Sequence, residues 1–325
     1  MSAAAALSAL PGRKSILAPP SKAADTAFYA LTFAMAITVL ALVLIVGVEL
    51  FRGAQASIHS FGWRFFVGAN WDPVNNDFGA LPFIAGTAVS SILGTAIALP
   101  LSLATAIFLT ELAPAWARQP VSTLVEMLAS IPSVILGLWG IYVMVPWLHD
   151  ALFPLLKRYF GFLPIFQGPI GGGYCMLSAA MIIAIMIVPI ITSIAREVFR
   201  AVPDSQRDAA YALGATHWEA TRLAVLNAST RGIFGAAMLG LARALGETMA
   251  VTMVIGNRPG FSASLFAPGS TLASTIANEF VEAVSDLHLS ALFELGLALL
   301  LVTIVINLLA RLLLGALGRK TRLGL

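Results

Sequence analysis

Long apolar runs, each bounded by charge, proline or glycine, dominate the pattern of the chain and predict helices that cross a membrane. Six stretches reach the roughly 20 helical residues that a hydrocarbon core demands. They are 27–51, 82–109, 121–148, 176–199, 232–256 and 287–314. The first runs from Phe28 to Leu50 with no charge before Glu49. Backbone groups in lipid need internal partners, so only helices and closed barrels span. The runs lack two-residue alternation, which excludes a barrel. The expected fold is an all-α membrane protein, with residues 27–315 as one six-span domain between tails at 1–26 and 316–325.

Composition narrows the class further. Of 325 residues, 59% are hydrophobic and only 11% charged, against roughly 25% charged in a soluble domain. The mean hydropathy is +0.90. A soluble enzyme, a disordered scaffold and a nucleic-acid-binding domain are thereby excluded. The single cysteine, Cys175, rules out an internal disulfide, and no Cys/His cluster offers a metal site. Ala3 to Leu10 is a short apolar run, but its basic residues, Arg13 and Lys14, follow rather than precede it. That order is wrong for a cleavable signal, so the first span reads as an uncleaved anchor.

Lys and Arg set the orientation. One side carries Arg13, Lys14, Lys22, Arg118, Arg196, Arg200, Arg207, Arg222, Arg231, Arg311, Arg319, Lys320 and Arg322. The other has Arg52, Arg64, Lys157, Arg158 and Arg258, and Arg243 lies inside the fifth span. Both termini are therefore expected in the cytoplasm of a multi-pass protein. The external loop 52–81 mixes Phe61, Trp63, Phe65, Phe66 and Trp71 with acids and amides, which fits either a headgroup belt or a docking surface. The loop 150–175, with Pro154, Pro164, Pro169 and Gly171 to Gly173, is expected to be irregular.

The cytoplasmic stretch 203–227 carries the clearest local signal. Asp204 after Pro203 reads as an N-cap, Gly214 as a helix stop and Thr216 as the cap of a second helix. The result is a helix–turn–helix elbow on the positive side of the membrane. Its spacing, Asp208-Ala209-Ala210-xxx-Gly214-x9-Ala224-x-Leu226-Asn227, resembles the EAA loop of ABC importer permeases, Glu-Ala-Ala-xxx-Gly-x9-Ile-x-Leu-Pro. Asp208, Ala224 and Asn227 depart from that pattern. Four further stretches sharpen the resemblance: 70–73, 78–87, 131–140 and Ala242-Arg-Ala-Leu-Gly-Glu-Thr-Met-Ala-Val251. Together, over about 60–315, they are similar to the phosphate-specific permease family PstC.

That resemblance implies a six-helix type I ABC importer transmembrane domain (MetI-like) in a bacterial inner membrane, moving inorganic phosphate. It also implies partners: a second, PstA-like permease, a PstB-like ATPase dimer and a periplasmic PstS-like phosphate-binding protein. Asp208, Ala209, Ala210 and Gly214 become the ATPase-coupling residues. The chain has no G-x-x-x-x-G-K-[ST], so it cradles no nucleotide by a P-loop and ATP-Mg belongs to a partner. The permease itself is expected to bind no cofactor and to catalyse nothing.

Charges within spans are costly and usually face a bundle interior or a water-filled path. Arg243 lies about 16 Å into the fifth span, and Glu247 one turn further on the same face. An i,i+4 ion pair fits the spacing, and a planar guanidinium suits a tetrahedral oxyanion. In the resembled family these two residues are implicated in phosphate movement, so the pair reads either as a translocation-path element or as an internal salt bridge. Glu126, about 8 Å into the third span, is expected within reach of Arg243. Glu294 in the sixth is expected near Glu247 in depth, and both carboxylates read more readily as structural pairs. Pro132-Ser133 either lines a path or kinks its helix.

Three rival functions are weighed against this reading. A secondary transporter commonly has ten or more spans and an internal repeat. An intramembrane enzyme needs HExxH, GxSxG or paired aspartates within spans, and none occurs. An ABC permease for phosphonate, sulfate or molybdate differs only in cargo, since an arginine accepts any small oxyanion.

Overall fold

The computed structural model describes residues 22–260 and 262–320, with side chains up to Leu312. The expectations for most of the N-terminal tail, and for Arg322 in the C-terminal one, lie outside these residues. Among the described residues five continuous helices are long and apolar enough to cross a membrane: α1 (Lys22–Gly53), α4 (Leu81–Leu112), α6 (Ser133–Phe160), α7 (Met176–Arg200) and α12, apolar over Asp286–Leu312 and helical to Lys320. Between them lie α2 (Gln55–Phe61), α3 (Arg64–Val67), α5 (Ala115–Ala129), α8 (Asp204–Ala212), α9 (217–245), α10 (Met249–Val254) and α11 (Leu272–Glu279). The chain divides into a unit ending at Glu49 and a second unit from Leu50 onward. Helix α1, most of which lies in the first unit, is apolar on every face, as suits a span.

Two expected spans are not single helices. The stretch 121–148 is interrupted at 130–132, where Pro132 cannot continue α5 because it lacks an N–H and clashes with the preceding turn. Ser130 Oγ donates to the Met127 carbonyl (2.7 Å), satisfying one group at the break. The chain then restarts as α6, which passes through the supposedly irregular 150–160 to Phe160. Its π turns at Gly140–Met144 and Leu148–Leu152 come just before Pro146 and Pro154. These wide turns absorb residues that cannot donate to the helical ladder. The stretch 232–256 is likewise divided, into α9 and α10, at Gly246–Thr248.

The core of the second unit forms where small residues let helices approach. Gly94, Ala98 and Ser102 line one face of α4 against α7, and a methyl on Gly94 would lie 3.0 Å from the Ala180 carbonyl. Further along, Ser102 Oγ donates to the Val188 carbonyl (3.2 Å) while Thr192 Oγ1 donates to that of Ser102 (3.4 Å). Close backbones and hydroxyl bridges hold helices together where lipid supplies no hydrophobic drive.

At the end of the bundle remote from α8, strands β1 (Trp71–Asp72) and β2 (Asp77–Phe78) form an antiparallel pair, Trp71 opposite Phe78. Phe65, Trp71, Phe78 and Phe83 pack with Leu272, Leu292 and Leu295 in one buried cluster. Most of the loop aromatics are thus core, and Trp63, 78% exposed, is the exception. Trp71 Nε1 donates to Glu279 (2.7 Å), which also contacts His288 Nε2 at 3.0 Å.

Candidate functional site

Arg243 and Glu247 meet as the sequence spacing predicts: Arg243 Nη1 lies 2.7 Å from Glu247 Oε2. Their surroundings are unequal, since the arginine side chain is 46% exposed and the carboxylate 5%. The pair occupies the gap between two helices rather than the face of one. Arg243 belongs to the last turn of α9, which ends at Leu245. Glu247 folds across the gap so that its Oε1 accepts the Ala250 N–H of α10 (3.4 Å). One carboxylate therefore caps the helix that follows and binds the arginine of the helix before it.

The second broken span reaches the same level. A methyl on Gly137 of α6 would sit 3.2 Å from the Ala250 Cα, and one on Gly140 would meet Val254 Cγ1 at 3.0 Å. Residue numbers rise together on both sides, so α6 and α10 run parallel in contact. Four residues back from the Gly137–Ala250 contact are Ser133 and Gly246. The start of α6, with half-buried Ser133 in its first turn, thus stands level with the Arg243–Glu247 gap. Positive helix ends at mid-depth favour an anionic group.

The other two carboxylates are elsewhere. Glu126 does not reach Arg243: it accepts from Arg196 Nη2 of α7 (2.6 Å) and from Ser122 Oγ (3.1 Å). Arg196, 9% exposed, claims it because α5 packs on α7. Glu294 is 1% exposed, faces Ser57 of α2, and its Oε2 has no partner among the described residues.

The elbow has the anticipated geometry, with one difference at its start. The N-cap is Pro203; Asp204 is the first helical residue and binds Arg207 (3.1 Å) instead of capping. Helix α8 ends in a Schellman motif: the Ala215 N–H donates to the Ala210 carbonyl (3.1 Å) and the Gly214 N–H to that of Tyr211 (2.9 Å). Gly214 adopts φ +84°, which a glycine takes without steric cost. Thr216 and Glu219 then form a reciprocal capping box, whose two hydrogen bonds from Thr216 hold the Glu219 carboxyl below its ordinary range. The chain continues through a π turn at Thr221–Leu226 straight into the rest of α9. Asp208 and Ala209 are exposed and Ala210 half-buried. Leu213 at 89% and Trp218 at 60% exposure leave an apolar tip uncovered.

One fastening was not anticipated. Arg207 forks onto the Glu111 carboxylate of α4 (3.3 and 3.1 Å) and donates to the Val202 (2.7 Å) and Phe199 (3.0 Å) carbonyls. The Glu111 bond, with its charge, pushes the guanidinium further toward its protonated form. The 96 residues separating these partners give no local sequence signal.

With this architecture in place, comparisons identify the class. The family described as binding-protein-dependent transport system inner membrane component matches residues 98–323. The chain belongs to that family: it is a non-catalytic permease subunit of a multi-pass ABC importer and works with other components of such a transporter. Among its relatives is the phosphate transport system permease protein PstC of Mesorhizobium japonicum, 46% identical over 91% of this chain and 92% of that one. The protein named PstC 2 in Mycobacterium tuberculosis is 38% identical over 90% of this chain and 92% of its own. A crystal structure of a bacterial ABC transporter involved in the import of alginate shares the fold. Its TM-score is 0.56 at 16% identity, covering 88% of this chain and 97% of that one.

Proposed function

We propose that this chain is the permease subunit through which inorganic phosphate crosses the inner membrane, with the Arg243–Glu247 pair on its path. The observation that carries the reading is the half-exposed guanidinium held over a break between helices, level with the start of a second broken span. An anion in hydrocarbon without a counter-charge faces a prohibitive barrier. Arg243 lowers it, and Glu247 keeps the arginine occupied between transport events so that phosphate must compete for it. Ser133 adds a hydroxyl at the same level. Glu126 and Glu294 hold helices rather than cargo, because one is bound to Arg196 and the other lies against α2.

In this reading the divided run 217–254 completes the sixth traverse, both termini are cytoplasmic, and a PstA-like permease supplies the rest of the pore. A PstB-like ATPase dimer consumes ATP-Mg against the elbow, and a PstS-like protein delivers phosphate outside. The naming of the PstC relatives favours phosphate over sulfate, molybdate or phosphonate. Reconstituted complex should take up labelled phosphate with ATP, and a hundredfold excess of each rival oxyanion should compete poorly. Strong competition by any one of them would reassign the cargo.

Orientation has its own test. With Cys175 replaced, a cysteine at Ser205 should resist an impermeant thiol reagent in intact cells while one at Ser262 labels. Reversed labelling would overturn the topology.

The elbow is testable at Gly214. Nothing lies within 4 Å of where its Cβ would stand, so a side chain there meets only backbone strain. Gly214→Val should cost roughly 1–2 kcal/mol locally, turn the apolar tip away from the ATPase, and lower phosphate moved per ATP hydrolysed. Wild-type coupling in that variant would remove the elbow from the mechanism.

A further inference from the structure

At the end of the bundle opposite the elbow lies a cavity of about 390 Å³ that none of the preceding roles uses. The loop before α7 and the loop after α10 enclose it. Ile170, Gly171, Gly172, Tyr174, Arg258 and Ser262 contribute to its lining, and no carboxylate does. Among the described residues the Arg258 guanidinium makes no ion pair or hydrogen bond, although its backbone is fixed by donation to Gly269 (3.2 Å). Among the described residues the amides of Ile170, exposed Gly171 and exposed Gly172 donate to no protein group, and Gly171 adopts φ +57°. A cation without a partner beside a run of free amides is the donor set that anion-binding loops present. At about 30 Å³ per water, the volume holds a small oxyanion with several waters.

The position of the cavity gives the donors a direction. Helix α10, only six residues long, starts beside the Arg243–Glu247 gap and ends at Val254, four residues before Arg258. About 9 Å of helix therefore separates the gap from this loop.

We infer that the Arg258 cavity is a loading site for a small tetrahedral oxyanion, occupied before the ion reaches Arg243. The assignment of phosphate as that ion rests on the cargo reading above; the oxyanion site itself does not. Guanidinium and amide donors hold the ion by hydrogen bonds, and Ser262 borders it. No covalent step is involved.

The test uses the assembled complex with Cys175→Ser and Ser262→Cys, labelled by a charged thiol reagent. Millimolar inorganic phosphate should slow labelling of the new thiol. Arg258→Gln should raise the phosphate concentration for half-protection ~10-fold, the loss expected for one charge-assisted contact, and Arg258→Lys should raise it less. Sodium sulfate is run in parallel. Protection by sulfate but not phosphate would keep the oxyanion site and reject the phosphate cargo. Absence of protection by both, or equal protection with Arg258→Gln, would overturn the site. So would unaltered phosphate protection accompanied by weaker capture of the external binding protein, because Arg258 would then be a protein contact.

Discussion

Replacing Arg243 by alanine is expected to abolish phosphate uptake while the complex still assembles. The ion pair is asymmetric: the arginine is 46% exposed and Glu247 5%. Removing the arginine strands a buried carboxylate, a loss of about 3 kcal/mol, near the low end for buried pairs because the arginine side is half open. Glu247 keeps one other contact, the Ala250 amide, which limits the damage to folding. Arg243→Lys should restore part of the uptake, since a lysine supplies charge without the planar fork. Glu247→Gln should change transport rate more than membrane abundance, because an amide oxygen still accepts from Ala250. A merely structural pair gives a different order. Each single neutralisation then lowers the amount of folded complex, and the double neutral variant recovers both abundance and uptake. Abundance and uptake measured for the two singles and the double separate these outcomes. Recovered uptake in the double variant would take the pair off the path.

What the sequence made legible was local chemistry. Gly214 and Thr216 are stop and cap two residues apart, and each does in the structure what its spacing dictates, with Glu219 closing the box. Arg243 and Glu247 are one helical turn apart and meet, although the turn between them is broken. The break itself has no proline to announce it. It falls at Gly246, the C-cap of α9, and Glu247 just beyond it accepts the Ala250 amide, an arrangement that apolar periodicity does not register. Pro132 did announce a disturbance, but only the structure shows the chain restarting as α6 with its first turn level with the other break. Partners distant in sequence were not legible: Glu126 takes Arg196, 70 residues on, because helix packing decides which of several arginines comes near. Loop aromatics misled for the same reason, since Trp71 and Phe65 resemble belt residues until α11 and α12 cover them.

The fastening of the elbow gives the second large expected effect. Motion of an ATPase reaches the spans only if the element it grips is rigidly joined to them. Helix α8 is joined to α4 through Arg207 and Glu111, whose side chains are 17% and 8% exposed. The same guanidinium ties α8 to the end of α7 through the Phe199 carbonyl and to the connecting Val202. Arg207→Ala removes every one of these ties and leaves Glu111 buried beside bare carbonyls, a cost on the order of 3 kcal/mol. The surviving complex should hydrolyse ATP while moving far less phosphate per ATP. Glu111→Gln should be milder, because Arg207 keeps Val202, Phe199 and Asp204. The exchanged pair Arg207→Glu with Glu111→Arg should fail to recover, since a carboxylate at 207 faces two carbonyl oxygens that need donors. Simple charge pairing predicts the reverse, because exchange preserves the ion pair. Phosphate transported per ATP in proteoliposomes, normalised to assembled complex, distinguishes the two. Full coupling in the exchanged variant would reduce the Arg207 network to an ordinary salt bridge and leave α8 to transmit motion through the α9 connection alone.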